Sequence, residues 1–394
     1  MLNTSKLQFY SLNAIAMLAQ LGIAIINLAL VYYLRYSVSF SAVLVGLSAS
    51  TYTFSYLLFC MVLTSFYQRF KPRYSILSSV LIMALSGFVV VNSTSKVVIF
   101  SFLFIYGFGM SMLWPQLESW ITRSAEKEQL NKNTAAFNFS WSFGTGISPF
   151  ITTLLVQVST RLAFLTAIVV FLFVAALLIA LRYNREIREL GAEKDHIEHM
   201  VNKNVKDNST ILRYYSWIAL FLVYTFLSVV LNIFPLYANE VLKISTRLSG
   251  ILLFLRGMVT CFAFIVLGRN HWWTFSAKLI FLCQAIYIVL ILFSANTTNI
   301  YLISISFILF GIIFAFAYSF SIFHSASGAL DRGRRMTIHE VILTFGTIIG
   351  ASCGGYIYDK LSYNMIFYYF AGISGVILAL EALIYITKKH NKVH

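Results

Sequence analysis

Long apolar stretches, separated by short polar breaks, dominate the sequence. Each is close to the roughly 20 residues that a helix needs to cross the apolar layer of a bilayer, at about 1.5 Å per residue. Lipid offers no partner for backbone groups, so we expect every stretch to be an α-helix. The stretches, numbered here as blocks 1 to 12, are 9–34, 41–66, 74–93, 97–122, 131–158, 162–182, 214–238, 246–268, 275–294, 299–325, 335–358 and 363–387.

The blocks divide into two sets of six whose breaks fall in register when the second half is laid on the first. Matching positions are Tyr33 with Tyr237, Gly46 with Gly250, Gly107 with Gly311, and Phe143-Gly144-Thr145 with Phe345-Gly346-Thr347. Repeated halves are typical of membrane proteins in which one half rocks against the other around a central site. We predict an N-terminal bundle at 1–182, a cytoplasmic linker at 183–213 and a C-terminal bundle at 214–394.

Composition supports a membrane protein. Of the 394 residues, 59% are hydrophobic and 11% are charged, whereas soluble domains carry about 25% charged residues. The predicted fold class is therefore all-α: a polytopic membrane protein with twelve transmembrane helices in two pseudo-symmetric six-helix bundles.

The formal net charge is +15, and its distribution is a topology signal. Most of the 29 Lys and Arg fall in breaks on one side of the membrane, including the linker 183–213. Because basic loops stay in the cytoplasm, we predict an integral protein of the cytoplasmic membrane with both termini cytoplasmic. The charge needs no nucleic acid, and we expect no nucleic-acid partner.

The sequence indicates neither a metal site nor a cofactor. The four cysteines lie far apart inside blocks, and no phosphate-binding GxxxxGK[ST] motif is present. His196 and His199 have the spacing of a ligand pair, but nothing near them completes a site. A polytopic membrane enzyme would need clustered carboxylates or histidines, so we predict no enzymatic activity and no cofactor.

Several blocks carry polar or aromatic residues at helical spacing, which predicts faces that meet other helices or water. Two interpretations stay open for each small polar residue, namely a hydrogen bond between helices or a ligand contact. The residues that we expect to line a substrate site are Asn27, Tyr52, Trp114, Asn138, Trp141, Asn232 and Tyr237.

Arg256 lies near the middle of block 8, where insertion of an arginine into a membrane costs about 2.5–3.5 kcal/mol. Its guanidinium suits a carboxylate or phosphate, so one hypothesis is contact with an anionic or strongly hydrogen-bonding substrate. The other is a fixed partner on a neighbouring helix.

Three glutamates also fall within blocks. Glu118, near the inner end of block 4, is a candidate proton carrier or a partner of loop arginines such as Arg69. Glu340, one turn into block 11, is interpreted as a gate ion pair or a proton carrier. Glu381 on block 12 is expected to be peripheral and to reach the inner surface, without a role.

The layout resembles the major facilitator superfamily, with six plus six helices, a charged central segment and both ends on one side. Between blocks 2 and 3, Thr64–Arg73 (TSFYQRFKPR) is similar to the family motif G-x-L-x-D-R-x-G-R-R. Arg69 and Arg73 match the motif, whereas Gln68 replaces its Asp and Lys71 its second Gly. The resemblance implies that blocks 3, 6, 9 and 12 are outer supports and that Arg69 and Arg73 belong to an inner gate.

The predicted function is that of a secondary transporter, which moves a small organic solute across the membrane by alternating access. The resemblance implies a proton or solute gradient as the energy source, with Glu118 and Glu340 as the candidate proton carriers. Two alternatives stay open: a facilitator without proton coupling, and a transporter-like sensor without turnover. We expect a monomer whose partners are its solute, the lipid bilayer and the coupling proton.

Overall fold

The computed structural model describes residues 2–67, 71–122, 127–181, 210–328 and 332–390, and these contain no β-strand. Twelve long helices follow the predicted blocks. In chain order they are α1 (Leu2–Tyr32), α2 (Ala42–Tyr67), α3 (Pro72–Val91), α4 (Lys96–Thr122), α5 (Lys127–Val158), α6 (Thr160–Ala180), α7 (Leu212–Asn232), α8 (Thr246–Arg269), α9 (Ala277–Ala295), α10 (Ile300–Ala326), α11 (Arg332–Lys360) and α12 (Tyr363–His390).

The seventh block is not one continuous helix. The pattern predicts 214–238, but α7 stops at Asn232 and a separate short helix, here called the α7 extension, covers Phe234–Glu240. Pro235 stands in the first turn of the extension. Proline has no N–H to donate to the preceding turn, so the hydrogen-bond ladder is interrupted there.

Eleven of the described helices are long and apolar enough to cross a membrane, and α5 is the long helix outside this set. Its first half carries many polar side chains, which lipid would penalise. The structure places α5 against α1, α4 and α6. Protein neighbours therefore replace lipid around the least apolar span.

Large apolar side chains are exposed along α3, α6, α9 and α12, the expected outer supports, and also along residues 54–62 of α2. Such faces are stable against hydrocarbon. The exposed residues are Leu81, Leu85 and Phe88 on α3; Val169, Leu172 and Phe173 on α6; Leu282, Ile286 and Val289 on α9; and Ile373, Val376 and Leu380 on α12.

The chain packs into two compact units. The first contains α1, α3 to α6, residues 48–67 of α2 and residues 246–257 of α8. The second contains residues 40–47, α7 with its extension, residues 258–269 of α8, and α9 to α12. Two helices at equivalent positions of the repeat, α2 and α8, are thus each divided between the units.

The repeat is visible as two equivalent helix crossings. In the first unit, a Cβ at Gly144 of α5 would stand 2.5 Å from the carbonyl oxygen of Met17 in α1. In the second unit, a Cβ at Gly346 of α11 would stand 2.9 Å from the carbonyl oxygen of Phe221 in α7. Glycine lets the backbones approach this closely. The recurring Phe-Gly-Thr sequence therefore marks the same packing solution in both units.

The start of α2 is held in the second unit by α11. The carboxylate of Asp359 accepts hydrogen bonds from the backbone N–H groups of Ala42, at 3.1 Å, and Val43, at 2.8 Å. One turn further, a Cβ on Gly46 would overlap the carbonyl oxygen of Ala351. A carboxylate at a helix N-terminus satisfies free donors and favours the positive end of the helix dipole.

The first half of α8 makes the equivalent contact with α5 in the first unit. A Cβ on Gly250, the repeat partner of Gly46, would overlap the side chain of Thr153. The hydroxyls of Tyr32 and Ser249 are hydrogen-bonded at 3.0 Å. The two helices that are divided between the units, α2 and α8, therefore each approach a neighbouring helix at a glycine.

We predict that Gly350→Ala destabilises the protein, because the new Cβ would overlap the backbone carbonyl of Thr225 in α7. Overpacking of this kind costs about 1–3 kcal/mol. The melting temperature in detergent measures the effect. Gly372→Ala on α12 is the matched control, since nothing lies within 4 Å of its added Cβ. Equal melting temperatures for the two variants would contradict the tight crossing.

Candidate functional site

Polar side chains join α1 to α5 inside the first unit. The amide of Gln20 donates to the Thr145 hydroxyl at 2.9 Å, and this hydroxyl donates to the carbonyl oxygen of Trp141 at 3.0 Å. One turn away, the Ser140 hydroxyl donates to the Asn13 side-chain oxygen at 3.3 Å. These four side chains therefore serve as bonds between and along helices, the first of the two interpretations open for such residues.

Two predicted site residues on α5 are neighbours. The indole N–H of Trp141 donates to the side-chain oxygen of Asn138 at 3.1 Å. On α1, the side-chain oxygen of Asn27 is buried and has no hydrogen-bond partner among the described residues. A buried acceptor without a donor is costly. Asn27 is therefore the polar side chain of this face most in need of a ligand or water.

The predicted aromatic walls take part in helix packing. Tyr52 is 7% exposed and meets Tyr106 of α4 edge-on, with ring centroids 5.9 Å apart. Trp114 is half-buried and lies 6.2 Å from the ring of Phe137 on α5. Tyr52 therefore binds α2 to α4, whereas Trp114 keeps part of its surface open.

Arg256 lies in the first unit, although it belongs to the second half of the sequence. It is 4% exposed. Its helix runs against α5, because a Cβ on the adjacent Gly257 would stand 2.5 Å from the Cα of Gly146. The rings of Phe254 and Phe150 pack beside this crossing, with centroids 5.8 Å apart. The crossing carries the arginine into the protein interior, away from lipid.

The remaining predicted site residues lie in the second unit. The amide of Asn232 donates to the Ser228 carbonyl oxygen at 2.9 Å, within its own helix. Tyr237 stacks on Tyr363 of α12, with centroids 3.8 Å apart and rings inclined by 13°. Glu340 is half-buried, and its backbone carbonyl accepts the Thr344 hydroxyl. These three residues thus belong to the second unit, whereas Arg256 belongs to the first.

The other predicted gate residues have different surroundings. Glu118 is exposed near the end of α4. The guanidinium of Arg73 donates to the carbonyl oxygen of Ile179 at 2.6 Å, which joins the start of α3 to the end of α6. Arg69 lies outside the described residues. Arg73 therefore satisfies a carbonyl in the last turn of α6, a group that its own helix leaves without a partner.

Sequence analysis did not anticipate an aromatic cavity in the second unit. It is small, with a volume of about 20 Å³, and is walled by rings that include Phe226, Phe307, Tyr237 and Tyr363. The Ser294 hydroxyl at its edge is buried without a hydrogen-bond partner among the described residues. The rings come from α7, its extension, α10 and α12, so no local sequence pattern signals the cavity.

A buried histidine was also missed. His339 of α11 is fully buried, and its Nδ1 is 2.7 Å from the Ser321 hydroxyl of α10. Within the described ranges, no group of three His, Cys, Asp or Glu side chains has a metal-binding arrangement. The described residues therefore offer hydrogen-bonding groups, the buried cation of Arg256 and aromatic surface.

Comparison with solved structures gives the fold. The chain is similar to the nucleoside transporter NupG, with 13% identity and a TM-score of 0.72 over 95% of this chain and 98% of that one. It is similar to a POT family transporter in complex with a thioalcohol-conjugated peptide, with 12% identity and a TM-score of 0.73 over 97% and 96% of the chains.

A third similar structure is a bacterial homologue of the human lysosomal transporter Spinster, in an inward-facing and occupied conformation. It has 11% identity and a TM-score of 0.71 over 98% of this chain and 97% of that one. These likenesses confirm the predicted two-bundle, twelve-helix fold.

The sequence itself identifies the family. No curated protein sequence matches the chain. The family model described as Major Facilitator Superfamily matches residues 12–329 and 278–394. The protein is thus an integral membrane transporter of a small molecule rather than an enzyme, and it belongs to the Major Facilitator Superfamily.

Proposed function

We propose that the protein is a secondary transporter that carries a small anionic or strongly hydrogen-bonding organic solute by alternating access. The burial of Arg256 carries the proposal, since charged residues inside a membrane bundle are costly and typically mark substrate or ion pathways. We assign the two halves, 1–182 and 214–394, as the domains that move. The cytoplasmic membrane, cytoplasmic termini and a monomer are part of the proposal.

Arg256 supplies the charge in this mechanism. A guanidinium offers five donors in a planar fork and binds a carboxylate with two parallel hydrogen bonds. The partnerless acceptor of Asn27 suits a donor on the solute, and Trp114 retains open aromatic surface. Organic acids, amino acids and short peptides combine these features. Nucleosides, the solute class of one similar transporter, offer hydrogen bonds and a flat ring without a charge.

Glu118 is our candidate for the coupling proton. It is exposed near the end of α4, in the same unit as Arg256. The end of the apolar span Lys96–Glu118 is where a carboxyl can exchange protons with water, as a carrier must. Coupling would then follow if protonation and solute binding favour different conformations. Glu340 is the second candidate, in the other unit.

We predict that Arg256→Lys lowers uptake into proteoliposomes by roughly tenfold or more, the equivalent of about 1.4 kcal/mol. Lysine keeps the charge but loses the planar fork. A thermal-shift screen of organic acids, amino acids, dipeptides and nucleosides in detergent first selects the solute. The control is Arg247→Lys, at the exposed start of the same helix. Unchanged uptake, or loss of folded protein in place of uptake, would argue against solute binding by Arg256.

We predict that Glu118→Gln abolishes accumulation driven by a pH gradient while sparing solute exchange at equal pH. Glutamine keeps the size of the side chain but cannot release a proton. Uptake with and without an imposed gradient measures both processes. Glu340→Gln, tested in parallel, separates the two candidates. A gradient response that survives in Glu118→Gln would remove this residue from the coupling step.

A further inference from the structure

Glu381 does not lie where the sequence pattern suggests. A peripheral glutamate that reaches the inner surface is expected, but the side chain is 3% exposed. It lies six residues, or about 9 Å along the axis, before the end of the apolar span Tyr363–Thr387. The expectation was wrong because α12 packs on α9, and the face of α12 with the acid is turned into the second unit.

The carboxyl of Glu381 lies next to the amide of Gln284 on α9. Gln284 is 2% exposed. Both oxygens of Glu381 and both polar atoms of the Gln284 amide are buried, and apart from each other they have no hydrogen-bond partner among the described residues. Two polar side chains that have only each other as partners inside a membrane bundle are costly to bury, and the cost is largest when one group is charged.

Among the side chains that the structure describes, no cation offsets a charge at this position. The titratable group that faces Glu381 is Tyr215 of α7, and Tyr385, one turn further along α12, lies beside Tyr215. The ring of Tyr215 is 5.3 Å from that of Phe281 on α9 and 5.7 Å from that of Tyr385. Among the described side chains, α9 contributes the uncharged Gln284, and neither α11 nor another element adds a charged group.

A proton on Glu381 would supply the O–H donor that these two side chains lack. A carboxylate only accepts hydrogen bonds, whereas a neutral carboxylic acid has an O–H to donate. That O–H matches the free side-chain oxygen of Gln284, and the remaining acid oxygen matches the amide N–H. Protonation therefore removes the charge and provides partners for atoms on both residues.

We propose that Glu381 and Gln284 form a proton-binding site buried between α9 and α12, in which Glu381 is a neutral acid hydrogen-bonded to Gln284. The site lies outside the residues assigned to solute transport and stands whether or not that assignment holds. Loss of the proton would leave an unpaired charge inside the second unit and loosen the contact between the two helices.

The sign of the pH dependence follows from proton counting. Around neutral pH the folded state holds a proton on Glu381, whereas the unfolded state, with its carboxyl in water, does not. The free energy of unfolding therefore falls as the pH rises. We expect the melting temperature of the purified protein in detergent to fall by about 2–4 °C or more between about pH 6 and about pH 9.

The decisive variant is Glu381→Gln, which cannot ionise. The melting temperature of this variant should not decrease over the same pH range. At the alkaline end of the range it should be higher than that of the wild type. Glu240→Gln is the matched control, because Glu240 is hydrogen-bonded to the Tyr358 hydroxyl at 2.9 Å elsewhere in the second unit, and it should keep the wild-type slope. An unchanged slope in Glu381→Gln would overturn the proposal.

Infrared spectroscopy tests the protonation state directly. The difference between wild type and Glu381→Gln at neutral pH should show one carboxylic-acid carbonyl band, and a carboxylate band in its place would overturn the proposal. If Glu381→Gln fails to fold, Gln284→Met serves instead. The acid band should then persist and shift, because the O–H has lost its acceptor, and a band that does not move would exclude the Gln284 hydrogen bond.

Discussion

The structure depends on the inability of lipid to satisfy polar groups, so each polar atom on a spanning helix must find its partner inside the protein. Bonds such as Gln20 to Thr145 need helices at short range. The glycine at position 144 permits that approach, since any Cβ there would press against the backbone of α1. Close helix crossings thus allow polar side chains on neighbouring helices to bond to each other. This matters most for α5, the least apolar span.

The same solution is used twice. Gly144 meets α1 as Gly346 meets α7, and the first turns of α2 and α8 meet α11 and α5 through matching glycines. A close crossing of two backbones needs a small residue at only one position. The two halves therefore match at these glycines, whereas the side chains around them differ. Arg256 illustrates the divergence, because α8 carries a buried cation whereas α2 carries none.

Sequence reasoning predicted the spans because hydropathy is a local property that lipid selects directly. It placed twelve helices but joined α7 to its extension, because the local effect of Pro235 was missed. The site was less accessible to prediction. Whether Asn138 bonds to Trp141 or to a solute depends on side-chain partners, and hydropathy contains no information about them.

The sequence alone does not give the rotation of a helix about its axis, and Glu381 and Arg256 show why that rotation matters. On α12 one acid among apolar residues gives no periodic pattern, so the direction of Glu381 was decided only by its packing on α9. Arg256 lies beside a glycine that fixes the rotation of α8 against α5. A small residue next to a charge is therefore more informative than the charge alone, because it identifies the neighbour toward which the helix is turned.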